Sequence, residues 1–213
     1  MSTNQRYQTI LLFGAPGAGK GTQGKILGAI PGFFHLSSGD LFRTLDAKSE
    51  LGKIFYQYAS RGELVPDGIT IKVWRENVHA HTVLSLYRPH SDLLILDGIP
   101  RNVNQAELMG KHINVLKVIR LVFEDEEAMV ARLQRRARKE NRADDAHEEV
   151  IRRRWEVYKS QTRPILDYYP QSIVAAADAI GSPTEVIQRV LEIAIPVQNT
   201  HLSNALALSK ANC

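Results

Sequence analysis

The amino-acid sequence predicts an α/β domain in which a parallel sheet of five strands carries helices on both faces. Three observations lead there. Short apolar runs alternate with stretches of helical periodicity along the chain, the pattern of a sheet buried on both sides. The first run ends in a glycine-rich segment that opens directly into a helix. The interval between the second and third runs, Ser37 to Pro89, is far longer than the single helix a parallel crossover needs.

In chain order, Thr9-Ile10-Leu11-Leu12-Phe13 is read as the first strand and Lys20 to about Ala29 as the first helix. Phe33-Phe34-His35-Leu36 forms the second strand, followed by helical patterns over 39–60 and 67–81 that make a small helical insertion. Leu93-Leu94-Ile95-Leu96 is the third strand, 102–111 a helix, and Val115 to Val122 the fourth strand. Helical periodicity over 125–137 and 146–168 brackets the polar stretch Arg138 to Asp145, read as an exposed loop. Ile173-Val174-Ala175-Ala176 is the fifth strand and 183–194 the closing helix. The expected organisation is one domain over 1–195 and a tail over 196–213, the tail being either frayed coil or a docked helix.

With 213 residues, 44% hydrophobic and 23% charged, the chain suits one globular domain that buries roughly 70% of its unfolded surface. The single cysteine, Cys213, excludes an internal disulfide and a thiolate zinc site. No apolar run reaches the ~18 residues of a membrane span, and the start MSTNQRYQT lacks the apolar core of a signal peptide, so the expected compartment is the cytoplasm. The net charge of +4 is concentrated: Arg132, Arg135, Arg136, Arg138, Arg142, Arg152, Arg153 and Arg154 fall in one stretch with Lys139. That stretch implies an anionic partner; the alternative is a solvated helix face balanced by Asp144, Asp145, Glu148 and Glu149.

After the first strand comes Gly14-Ala15-Pro16-Gly17-Ala18-Gly19-Lys20-Gly21-Thr22. The glycines free the backbone to curl, the helix beginning near Lys20 offers its positive end, and the lysine ammonium reaches outer phosphates. The strand-to-helix context makes this a phosphate cradle of the P-loop NTPase kind. Ligands of open parallel sheets bind at the carboxyl ends of strands, where Asp97 also falls, placed to hold Mg²⁺ directly or through water.

The segment G-A-P-G-A-G-K-G-T-Q, together with Ser37-Ser38-Gly39-Asp40-Leu41-Phe42-Arg43, Gly62-Glu63-Leu64-Val65-Pro66-Asp67 and Asp97-Gly98-Ile99-Pro100-Arg101, resembles the adenylate kinases, from about residue 8 to residue 194. Ile99 stands where that family has phenylalanine. The resemblance implies reversible, Mg²⁺-dependent transfer of the γ-phosphoryl group of ATP to AMP. It implies a monophosphate-binding insertion over about 37–66 and a short, zinc-free lid over about 135–145. Donor ATP would be held by Gly14, Gly17, Ala18, Gly19, Lys20, Gly21, Thr22, Arg132, Arg136 and Gly181. Acceptor AMP would be held by Ser38, Arg43, Glu63, Leu64, Val65, Gly98, Ile99, Pro100, Arg101, Gln105, Arg142 and Arg153. Lys20, Arg101, Arg136, Arg142 and Arg153 would surround the transferred group, while Arg135, Arg138, Arg152 and Arg154 are left to the solvated face. The family's size implies a monomer whose partners are nucleotides, with neither membrane nor nucleic acid.

Three other readings compete. A nucleotide switch of the GTPase kind carries N-K-x-D, which does not occur here. A nucleic-acid-binding protein would use residues 132–154 as a basic patch without needing Arg43, Asp97 or Arg101. A uridylate-cytidylate kinase is the nearest alternative, since Asn102 is similar to the pyrimidine enzymes and Ser38 differs from the usual threonine. Gln105 favours adenine, because its amide offers both a donor and an acceptor to the base edge, whereas Asn102 points to no obvious partner.

Overall fold

The computed structural model describes residues 6–123, 125–140 and 147–211. Strands β1 (Tyr7–Gly14), β2 (Phe33–Ser37), β3 (Leu93–Asp97), β4 (Ile113–Val122) and β5 (Val174–Asp178) form one sheet in the order β2-β3-β1-β4-β5. Every neighbouring pair is parallel. Helices α1 (Lys20–Gly28), α2 (Ser38–Arg43), α3 (Glu50–Ala59), α4 (Asp67–Val83), α5 (Val103–Met109), α6 (Glu126–Glu140), α7 (Glu148–Val157), α8 (Ile165–Tyr168) and α9 (Pro183–Ala211) connect and flank the strands. The predicted parallel five-stranded architecture is the one observed.

Alternation along the strands feeds two cores. Ile10, Leu12, Ile119 and Leu121 face one layer with Leu27, Met129, Leu133 and Val190. Leu11, Phe13, Leu94, Leu96 and Val118 face the other, with Trp74, Met109 and Ile165. β3 is buried along its whole length, as a strand covered on both faces must be. A satellite core of Phe42, Phe55 and Val73 holds α2, α3 and α4 together, with the two phenylalanine rings stacked at 5.4 Å.

Three helical stretches differ from expectation. The pattern over 39–60 is divided because Ser37 and Ser49 each start a helix, their hydroxyl oxygens accepting from the Asp40 and Gly52 N–H groups. Between them Asp46 turns the chain by accepting the Lys48 N–H. The stretch 146–168 widens after α7 into a π turn, closed by the Arg163 N–H on the Tyr158 carbonyl at 2.8 Å. Pro164 follows, which has no N–H to continue the regular ladder. The closing helix runs on through Pro196 to Ala211, so the described part of the tail is helical, and Gln198 donates to the Pro31 carbonyl at 2.9 Å. Among the described residues no helix is long and apolar enough to cross a membrane.

The register positions the site. Leu12 of β1 and Ser37 of β2 both lie opposite Asp97 of β3. The carboxyl ends of the three strands therefore finish together, and the loops leaving them meet at one edge of the sheet.

Candidate active site

β1 leaves the sheet at Gly14, where φ is 148° and an added Cβ would lie 2.7 Å from the Leu121 carbonyl oxygen. A side chain would collide with β4. The chain then turns back and enters α1 at Lys20, so the free amides of the first helical turn border the loop. Helix α6 rests on the loop: a Cβ on Gly17 would meet Met129 Cγ at 3.0 Å. The arginines of α6 are thereby tied to the phosphate loop by packing.

Lys20 folds over the loop, its Nζ donating to the Gly14 and Ala15 carbonyls at 2.8 and 3.0 Å. Burial brings its pKa down from 10.5 to about 8; the Asp97 carboxylate opposes this, while Arg101, Arg136 and Arg154 push in the same direction. These five charged groups thus share one field. Asp97 is 6% exposed, and its Oδ2 faces Gly21, where a Cβ would lie 3.5 Å away. Thr22, in the first turn of α1, is exposed.

Beyond Asp97 the chain kinks at Gly98, with φ 75°, and the Ile99–Pro100 peptide bond is cis. The Gly98 carbonyl accepts from the Ser38 hydroxyl at 2.6 Å and from Arg101 Nε at 2.8 Å. One backbone oxygen therefore joins the start of α2 to the loop after β3 and aims the Arg101 side chain. The Ile99 side chain is buried in the core, so Gly98, Pro100 and Arg101 are the members of this segment that line the cleft.

The opposite wall comes from the insertion. Arg43 lines it and pairs with Asp40 at 2.6 Å. Glu63, Leu64 and Val65 form its end, where the Val65 carbonyl accepts from the Thr70 hydroxyl at 3.2 Å and Arg61 pairs with Glu63 at 2.9 Å. Phe42, Phe55 and Ala59 add apolar surface. A flat apolar ligand with a phosphate at one end fits such a cleft, apolar at the insertion and cationic at the loop.

Gln105 lines the same cleft and is 1% exposed. Its Oε1 accepts from the Arg101 N–H at 2.8 Å and its Nε2 donates to Asp67 Oδ1 at 2.7 Å. Asn102 has a partner after all: it caps α5 by accepting the Gln105 N–H at 2.7 Å and donates to Asp67 at 2.9 Å.

The fold places the neighbouring arginines of α7 differently. Arg154 lines the cleft and acts on Lys20, whereas Arg153 is exposed. Arg154 belongs to the inward stripe Ile151, Arg154, Trp155 and Tyr158, and Arg153 lies about 100° around the helix from it. The stripe is readable in the sequence as apolar positions at i, i+4 and i+7, and Arg154 is the arginine it encloses. Arg152 does remain on the surface, bonded to Glu126, Glu127 and Glu148.

Arg132 stacks over Phe123 with its guanidinium carbon 4.0 Å from the ring centre. Gly181 has φ 119° in the turn before α9, beside the Ser182–Glu185 capping pair. Arg142 and the acidic pair Asp144 and Asp145 lie outside the described residues. Sequence reasoning also passed over Tyr158 and Thr162, which line the cleft, and Asp67 as a side chain; the Thr162 hydroxyl donates to the Arg101 carbonyl at 2.7 Å.

A family model described as "Adenylate kinase" matches residues 12–174. The chain is 39% identical to an adenylate kinase of Thermobifida fusca over 188 residues, 85% of this chain and 95% of that protein. It is 37% identical to one of Thermus thermophilus over 190 residues, covering 86% and 95%, and 39% identical to one of a Synechococcus species over 189 residues, covering 86% and 96%.

Proposed function

The chain belongs to the adenylate kinase family and is a phosphotransferase of the nucleoside monophosphate kinase class; on that premise we propose that it moves the γ-phosphoryl group of ATP to AMP, reversibly, giving two ADP. The observation that supports this most is the convergence of Lys20, Asp97, Arg101 and Arg154 between the phosphate loop and a second, base-sized cleft. A hydrolase needs one nucleotide site and water; a monophosphate kinase needs two sites that meet.

In this reading the donor phosphates lie along Gly14 to Thr22, and Lys20 exchanges its two carbonyl partners for phosphate oxygens. Arg132 and Gly181 border the donor base. The acceptor phosphate is held by Arg43 and Arg101, its base by Leu64, Val65 and the Gln105 amide. Arg136, Arg142 and Arg154 complete the ring of cations around the moving group, whose charge spreads over equatorial oxygens in the transition state. The acceptor oxygen attacks the γ-phosphorus as the bond to the bridging oxygen of ADP breaks, so no covalent enzyme intermediate is needed.

Magnesium fits the donor set. Mg²⁺ typically keeps several waters and takes one or two carboxylates plus substrate phosphates, and the buried Asp97 carboxylate facing Gly21 would supply one such ligand. No cluster of three His, Cys, Asp or Glu occurs among the described residues. When bound with ATP, the ion neutralises phosphate charge. The same reading has ATP, AMP and ADP as the partners of a monomer in the cytoplasm. Incubation with MgATP and AMP tests it: two ADP should form per AMP consumed, and ATP loss with release of inorganic phosphate alone would overturn it.

A further inference from the structure

Gln105 has both ends of its amide engaged by the protein itself, and the two partners dictate which end is which. The Arg101 N–H can only donate and the ionised Asp67 carboxylate can only accept. Rotating the amide by half a turn would set donor against donor and acceptor against acceptor. Asp67 is itself held: besides Gln105 it receives Asn102 Nδ2 on Oδ1 at 2.9 Å and Asn104 Nδ2 on Oδ2 at 2.6 Å. Burial pushes the Asp67 pKa up, but the bonds from Asn104, Asn102 and Gln105 outweigh it and hold the carboxyl below its usual range. The primary amide of glutamine has two N–H groups and two lone pairs. With one of each spent, one N–H and one lone pair remain, in a fixed order, for whatever enters the cleft that Gln105 lines.

We propose that Asp67 is a positioning residue for base specificity: by locking the Gln105 amide it makes the acceptor site take a 6-aminopurine and refuse a 6-oxopurine. The inference rests on the reading that Gln105 meets the acceptor base. A 6-aminopurine presents an unprotonated N1 beside an amino donor, whereas a 6-oxopurine presents N1–H beside a carbonyl, the same pair reversed. A freely turning amide serves either; a locked amide serves one and leaves a buried donor or acceptor unpaired against the other.

The test compares kcat/KM for AMP and IMP at saturating MgATP. Wild type should favour AMP by at least ~100-fold, and Asp67→Ala should lower that ratio at least ~10-fold, the scale of one specific polar contact. The KM for ATP should stay unchanged. Asp67→Asn, whose carbonyl oxygen can occupy the Oδ1 position, should keep the ratio within about threefold. So should Asn104→Ala, which removes a bond to Asp67 without releasing Gln105. If Asp67→Ala does not fold, Asp67→Ser carries the same expectation. A folded Asp67→Ala or Asp67→Ser enzyme whose AMP and IMP rates fall together, or do not change, would overturn the inference and leave Asp67 a structural residue. Failure of the underlying reading looks different: wild type would use IMP as well as AMP, or Gln105→Leu would leave AMP use intact.

Discussion

Raising the pH through about 8 should weaken ATP binding, because burial brings the pKa of Lys20, the ammonium proposed to meet its phosphates, down toward neutrality. With a pKa of about 8, Lys20 in the nucleotide-free protein is about nine-tenths charged at pH 7 and about one-tenth charged at pH 9. If bound phosphates keep it charged throughout, the Kd for ATP should rise about tenfold across that interval, ~1.4 kcal/mol. Binding at pH 8 should then draw about half a proton from solution. Isothermal titration calorimetry in two buffers of different ionisation enthalpy measures both quantities, with Lys20→Met as the baseline that removes the titration of ATP itself. The sign for stability follows from the same shift. Between about 8 and the unfolded value of 10.5 the unfolded chain binds the extra proton, so this group makes the nucleotide-free protein more stable as pH rises through that window. A wild-type Kd as flat with pH as that of Lys20→Met, or proton release on binding, would refute the argument.

Lys20→Met itself should fold normally and lose several orders of magnitude of phosphoryl transfer in a coupled ADP assay, since it removes a cation from the reacting phosphates without touching the core. Arg154→Ala should lower kcat by roughly 10²-fold or more with a smaller change in KM, while Arg153→Ala stays within about threefold of wild type; reversed steady-state results would restore Arg153 to the site. Gly14→Ala should cost about 2 kcal/mol or more of unfolding free energy, measured by urea denaturation, because the new Cβ meets the Leu121 carbonyl at a positive φ.

Much of the fold was legible because its signals are local. The five apolar runs lie within the five strands or overlap them, since a strand covered on both sides has no polar phase to blur its ends. Helix divisions were harder: Ser37 and Ser49 cap α2 and α3, yet the apolar period reads through both. The tail was ambiguous because the bond from Gln198 to Pro31 spans 167 positions in sequence. In the site, the phosphate loop and Asp97 announce themselves through the strand and helix they join. The choice between Arg153 and Arg154 depends on helical phase, which the neighbouring apolar stripe carries. Asn102 lacked an evident role because its partner, Asp67, lies 35 residues away and reaches it only when α4 packs beside α5.

The acceptor specificity of the wild-type enzyme tests the account most directly. Steady-state rates with AMP, CMP and UMP at fixed MgATP should show AMP ahead by at least ~10-fold in kcat/KM, the worth of one good polar contact to the base. Gln105→Asn should erode that lead chiefly by weakening AMP use. A preference for CMP or UMP in the unaltered protein would contradict it.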